Sequence, residues 1–239
     1  MDVRLWFDPV CPFCWMTSKW LRLVAGQRDL AIEWRFISLR LVNTGVDYEA
    51  WFPPEYEAGH TAGLRMLRVA ARVRKEHGAD ALDRLQEAFG RHVFEREPVP
   101  DTATSRETQG SEAFVAEVLT TAGLPTSLVE TLADTAWDEV VRAETDEALA
   151  LTGKDVGTPI IQVDPPDGLA FFGPVISRMP TEEQAGELWD HAVGLARFPG
   201  FAELKRSLRE RPQLPSFGVT TADVGLVEDW HGGSRRQHR

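Results

Sequence analysis

Cysteine is nearly absent from this chain. Its 239 residues contain two, and both fall in one tetrapeptide, Cys11-Pro12-Phe13-Cys14. So sparse a supply excludes a disulfide-stapled scaffold. It excludes a thiolate-only zinc site as well, because four ligands are needed and two histidines would have to join the cysteines. The six histidines are scattered: the first is His60, no pair has the spacing of a finger or a zincin helix, and no metal ligand is assigned. Lysine is scarce too. Of 26 basic side chains only Lys19, Lys75, Lys154 and Lys205 are lysine, the mark of a GC-rich genome. No apolar run approaches the roughly 18 residues of a membrane span, and the start lacks a basic segment followed by an apolar one. The expected compartment is the cytoplasm, where lasting disulfides are rare. The net charge of −11, with an isoelectric point near 5.1, and the lack of a basic stripe argue against nucleic acid and membrane as partners. No G-x-G-x-x-G follows a strand, so no flavin or nicotinamide site is expected.

What is present is an ordinary globular composition, 43% hydrophobic and 26% charged. That is enough for one large domain or a domain carrying an insertion. The two cysteines sit at a telling place. Val3, Leu5 and Phe7 alternate as in a strand, Asp8-Pro9-Val10 turns the chain, and an apolar run at helical spacing follows from Trp15 to Val24. Cys11 therefore falls at a helix N-terminus, where unpaired N–H groups and the dipole favour a thiolate. Pro12 suits the first helical turn. Cys14, three residues on, lies on the same face and is placed to close or resolve a disulfide. A structural disulfide across so short a loop would constrain the unfolded chain little. Thiol redox chemistry is the reading favoured over an inert pair or a metal site.

The rest of the chain divides around this start. A helix ending near Gly26, a natural C-cap, and a strand at Ile32, Trp34 and Phe36 complete a βαβ unit. An aromatic, proline-rich stretch with Trp51, Phe52 and Tyr56 precedes about a hundred residues of helical pattern. These read as helices over 60–77, 79–97, 111–123, one opened by Pro125, and 138–151. Strands over 158–163 and 169–172 form a hairpin. A capping-box helix spans 181–197 from Thr181 and Gln184, and a short helix spans 201–210. The expected division is 1–43 with 154–198 as one discontinuous domain, 44–153 as an inserted helical domain, and 199–239 as a terminal helix and tail. Asp8 reads as a turn residue ahead of the alternative, a buried proton-transfer carboxylate. Burial is the common fate of aromatics such as Trp51, Phe52 and Tyr56, with a substrate wall as the alternative.

The order strand–helix–strand, helical insertion, hairpin and helix resembles the DsbA-like branch of the thioredoxin fold. The residues that carry the resemblance are Phe7-Asp8-Pro9-Val10-Cys11-Pro12-Phe13-Cys14-Trp15 and Val156-Gly157-Thr158-Pro159. With Ile160-Ile161 and Ala170-Phe171-Phe172-Gly173-Pro174-Val175 they are most similar to the actinobacterial mycothiol-dependent nitroreductase family, in which Trp is commoner than Phe at position 13. The arginine bias agrees with such a source.

The resemblance implies an α/β thioredoxin fold with an inserted all-helical domain, and a thiol-disulfide oxidoreductase acting on nitroaromatic or other electrophilic compounds or on disulfides. It implies Cys11 and Cys14 as catalytic residues, Pro12, Phe13, Trp15, Thr158 and Pro159 around the substrate, and Pro159 as a cis proline against the cysteines. Mycothiol would be the thiol co-substrate, with no tightly bound cofactor, and the protein a monomer or homodimer. A small thiol must reach Cys11, so Cys11 is expected to be the more exposed sulfur in a site open on one side. The alternatives are a thiol-dependent isomerase of the 2-hydroxychromene-2-carboxylate type, which generally has Ser where Cys11 stands, and a redox-inert binding module, which usually loses a cysteine.

Overall fold

The computed structural model describes residues 1–53, 55–97, 108–153, 155–206, 210–219 and 224–225. Four strands form one sheet in the order β2-β1-β3-β4, with β1 Asp2–Phe7, β2 Ala31–Phe36, β3 Ile160–Val163 and β4 Ala170–Phe172. β1 and β2 run parallel, pairing Asp2 with Ala31 through Phe7 with Phe36, across the crossover helix α1, Pro12–Gln27. β3 is antiparallel to β1, pairing Leu5 with Ile161, and β4 is antiparallel to β3. β1 is buried on both faces, as expected of a central strand covered by helices. Val3, Leu5 and Phe7 join the main core, while Trp6 packs with Ile37, Ala148 and Ile160 on the other side.

Between β2 and β3 the described residues form helices joined by turns and loops, with no strand among them. They include α2 Leu39–Val42, α3 Tyr48–Trp51, α4 Glu55–His77, α5 Ala79–Phe94, α6 Glu112–Thr121 and α7 Asp138–Thr152. Their apolar faces do not form a core of their own. Met66, Leu67, Leu85, Phe89 and Val118 belong to the same buried cluster as Leu5, Phe7 and Leu21. A charged knot also joins these helices to the sheet. Glu144 on α7 accepts the Phe36 N–H at 2.8 Å and pairs with Arg74 of α4 at 2.5 Å, and Glu147 pairs with Arg35 of β2. Such buried pairs specify how elements dock more than they stabilise them.

The structure departs from the sequence pattern at several ends. α1 ends at Gln27, next to the expected Gly26; the Arg28 N–H reaches the Val24 carbonyl at 2.8 Å and Gln27 donates to the Glu182 carbonyl at 2.6 Å. α4 starts at Glu55, ahead of the expected 60, and α5 ends at Phe94. Pro125 precedes a 3-10 helix, Thr126–Ala133, not an α-helix. The helix α8, Glu182–Ala196, has the expected capping box between Thr181 and Gln184. The terminal helix expected over 201–210 is not seen at residues 201–206 or at Glu210, and residues 207–209 lie outside the described residues. Residues 201–206 are irregular instead, and Leu214 is buried ahead of a 3-10 turn at Pro215–Phe217. The expected domain limit at residue 154 and most of the tail also lie outside the described residues. Among the described residues no helix is long and apolar enough to cross a membrane.

Candidate active site

Cys11 is the N-cap of α1, in extended conformation with Pro12 following at the first helical position. The Asp8-to-Cys11 turn is closed by the Cys11 N–H on the Asp8 carbonyl at 3.0 Å, and the Trp15 N–H reaches the Cys11 carbonyl at 3.1 Å. The Cys11 sulfur accepts the Cys14 N–H at 3.4 Å. It thereby takes the place that a Ser or Asp oxygen takes at an ordinary N-cap. From the bend that leads into β3 the Thr158 hydroxyl comes within 3.0 Å of the same sulfur. The Thr158–Pro159 bond is cis, and the Gly173 N–H donates to the Pro159 carbonyl at 2.9 Å, tying that bend to the end of β4.

Both cysteines are free and buried. Cys11 is the more exposed, but at only 4% against 1% for Cys14. The open site expected from sequence is therefore not what the described residues form: the Thr158–Pro159 bend and the core close over Cys11. The electrostatics separate the two thiols. Cys11 is held below the ordinary thiol range, chiefly because the Cys14 thiol donates a hydrogen bond to it; burial opposes this, and Thr158 and the Cys14 N–H assist. Cys14 is pushed well above that range by burial, and further by its bond to Cys11 and by the charge there.

Asp8 is more than a turn residue. It does cap the turn, accepting the Val10 N–H at 3.0 Å and the Leu39 N–H at 2.8 Å. It is also 1% exposed, and burial raises its carboxyl to about 7 against the pull of those two N–H groups. The sequence reading ranked the buried carboxylate second because nothing in Asp8-Pro9 foretells that α4 will lie on it. The close approach is made at Gly63, where a Cβ would come within 2.5 Å of the Asp8 carboxylate. A cavity of about 10 Å³ lies between Asp8 and Cys14, walled by Trp15, Gln86, Phe89 and Gly90. That is room for about one water molecule.

The other expected residues divide. Phe13 is half-buried beside the cysteines. Trp15 turns inward behind them, with its Nε1 on Glu95 at 2.7 Å and its ring against Gly90, where a Cβ would come within 2.0 Å. Phe52 is buried and Trp51 is 38% exposed. Tyr48, Phe52 and Tyr56 stack in a row with the edge of His60 against all three. The Tyr48 hydroxyl is 2.9 Å from His60 Nδ1. The sequence reading gave neither Tyr48 nor His60 a role, though their i, i+4 spacing with Phe52 and Tyr56 is visible. A larger open groove, about 560 Å³, runs between the end of α1 and α8 and holds none of the motif residues. Among the described residues no group of three or more His, Cys, Asp or Glu side chains could hold a metal ion.

With this geometry in place, comparison with known proteins decides the kinship. Residues 10–206 match the family described as Rv2466c-like, mycothiol-dependent nitroreductase Rv2466c. The chain belongs to that family. It is a thiol-dependent oxidoreductase with a DsbA-like thioredoxin fold and a helical insertion. The uncharacterised protein Rv2286c of Mycobacterium tuberculosis is 31% identical over 222 residues, covering 92% of this chain and 84% of that protein. Two solved structures share the fold. The "probable DsbA oxidoreductase" of Streptomyces coelicolor matches with a TM-score of 0.53 and 19% identity, over 90% of this chain and 97% of its own. A protein provisionally assigned as a protein disulfide isomerase, from Nitrosomonas europaea, matches with a TM-score of 0.52 and 13% identity, over 81% and 98%.

Proposed function

We propose that Cys11 is the attacking thiolate and Cys14 the resolving thiol of a cytoplasmic reductase. It would draw electrons from mycothiol and deliver them to disulfides or to nitroaromatic and other electrophilic compounds. The observation that carries this reading is the setting of the Cys11 sulfur, at a helix N-cap, 3.4 Å from the Cys14 nitrogen and 3.0 Å from the Thr158 hydroxyl. Those donors stabilise a thiolate and a thiolate leaving group alike.

With a disulfide substrate, the Cys11 thiolate attacks one sulfur and expels the other as a thiolate, which takes a proton from solvent. The mixed disulfide on Cys11 is then attacked by Cys14 as its thiol proton leaves, and the second substrate thiolate departs. The substrate has gained two electrons and the cysteines have become a disulfide. Two molecules of mycothiol reverse the oxidation by the same exchange and leave as their own disulfide. With a nitro compound, two thiols supply two electrons and two protons, giving the nitroso compound and water. Asp8 is the group suited to take the Cys14 proton, since its carboxyl titrates at about 7 and the cavity between them has room for a bridging water.

Pro12, Phe13 and Trp15 shape the helix side of the site, and Thr158 and Pro159 present the opposing bend to substrate. Residues 44–153 act as an inserted lobe over the 1–43 and 154–198 unit, and with Cys11 only 4% exposed that lobe or the 156–159 bend moves to admit substrate. The reading is tested by Cys11→Ser and Cys14→Ser proteins with mycothiol and either a disulfide or a nitroaromatic. Cys11→Ser is expected to lose turnover outright, and oxidised Cys14→Ser to carry a mycothiol adduct on Cys11 by mass spectrometry. Turnover supported equally by glutathione with no mycothiol adduct would reduce the proposal to generic thiol exchange.

A further inference from the structure

The catalytic helix has a face that neither the sheet nor its flanking helices cover. At 100° per residue, Cys14, Ser18 and Leu21 share the side toward β1, and the Cys14 sulfur indeed points at the Trp6 carbonyl. Trp15 and Arg22 lie on the α5 side, against Gly90 and Gln86. Thr17 and Trp20 lie on the opposite flank, where the Thr17 hydroxyl donates to the Pro174 carbonyl at 3.4 Å and Trp20 meets Trp189. Met16 lies on the side away from β1, one turn before Trp20 and next to that flank. On a bare helix it would be exposed, yet it is 0% exposed.

The C-terminal segment packs back onto the same core. The Gln213 N–H donates to the Ser177 carbonyl at 2.6 Å, Leu214 is 1% exposed in the core that contains Met16, and Pro215–Phe217 docks on α5. The segment therefore starts at the loop after β4, on the Thr17 flank, and ends on the α5 flank. Residues 210–217 thus form a strap between the 173–178 loop and α5.

Glu210 anchors the start of this strap. It is 3% exposed, and its carboxylate accepts the Ser177 hydroxyl at 2.6 Å and the Gly225 N–H at 2.5 Å, and pairs with Arg178 at 3.2 Å. The 173–178 loop that it grips is the one whose Gly173 N–H holds the Pro159 carbonyl and whose Pro174 carbonyl takes the Thr17 hydroxyl. One loop thus braces both partners of the Cys11–Thr158 contact: Thr158 through its neighbour Pro159, and Cys11 through α1.

We propose that Glu210 is a positioning residue for the nucleophile, clamping the 173–178 loop and the strap so that the Thr158 hydroxyl stays on the Cys11 sulfur. The inference rests on Cys11 being the attacking sulfur. It is tested by iodoacetamide labelling of the reduced protein across pH, with the labelled cysteine identified by mass spectrometry. The proteins compared are wild type, Glu210→Gln, Ser177→Ala and, as a control, Glu203→Gln, which alters an exposed carboxylate on the same stretch. In Glu210→Gln the Cys11 labelling midpoint is expected to rise by about half to one pH unit as its contact with Thr158 loosens. Mycothiol-supported turnover should fall about tenfold with it. Ser177→Ala should shift the midpoint the same way by less, and Glu203→Gln should leave it in place. Should Glu210→Gln fail to fold, Ser177→Ala alone carries the test. An unmoved midpoint in whichever of the two folds, even with a lowered melting temperature, overturns the positioning role and leaves Glu210 a structural anchor. Labelling of Cys14 in wild type overturns the nucleophile reading and this inference with it, and the labelled site tells the two failures apart.

Discussion

Replacing Asp8 with Asn tests the electrostatics of the site through stability, independently of any substrate. Burial raises the Asp8 carboxyl from 3.8 to about 7. Because the folded value lies above the unfolded one, the shift penalises the native state. Below pH 3.8 the group is neutral in both states and the penalty is absent. Between 3.8 and about 7 the unfolded chain ionises first and the penalty grows; above 7 it is constant. A shift of this size corresponds to about 4 kcal/mol. Asp8→Asn removes it, while also leaving one of the Val10 and Leu39 N–H groups without its carboxylate acceptor, a loss of about 1–3 kcal/mol at every pH. The variant is therefore expected to be less stable than wild type at pH 4 by about that 1–3 kcal/mol. At pH 8.5 the balance should reverse in its favour by a similar amount, the full swing being about 4 kcal/mol. Urea unfolding of both reduced proteins at the two pH values measures it. A difference in stability that does not change with pH would refute the buried, raised carboxyl. The same variant should label at Cys11 at lower pH than wild type, because the Asp8 charge raises the Cys11 thiol. Turnover should nevertheless fall, by about a hundredfold if proton transfer from Cys14 limits the rate.

Thr158→Val keeps the shape of the bend but removes the hydroxyl that sits 3.0 Å from the Cys11 sulfur. The Cys11 labelling midpoint should rise by about one pH unit, the loss of one hydrogen bond to a charged group, and an unmoved midpoint would remove Thr158 from the thiolate's support. Gly90→Ala would place a methyl about 2.0 Å from the Trp15 ring, so it should destabilise the protein by about 1–3 kcal/mol in urea unfolding and weaken the wall of the Asp8–Cys14 cavity; an unchanged midpoint would mean that α5 moves freely on α1.

What the sequence determined by itself was mostly what short-range chemistry encodes. Period-two and helical patterns located β1, α1 and β2, and the Thr181–Gln184 capping box located α8, because those signals are written within a few residues of one another. The placement of Cys11 at a helix start, three residues before Cys14, followed from Pro12 and from the change of period. The fold came by resemblance: the order of elements, and the pairing of that motif with Val156-Gly157-Thr158-Pro159, resemble the DsbA-like branch of the thioredoxin fold. Only the tertiary structure decided the protonation of the site. Asp8 became a carboxyl with a raised pKa when α4 closed on it at Gly63, and Cys11 and Cys14 diverged through burial and through contacts with each other and with Thr158. Residues 201–206, read as the start of a helix, are irregular, and Glu210 and Leu214 beyond them are buried, with Glu210 held on Ser177 and Leu214 in the main core. Desolvation and long-range contacts set these outcomes, and neither is visible in a local window of sequence.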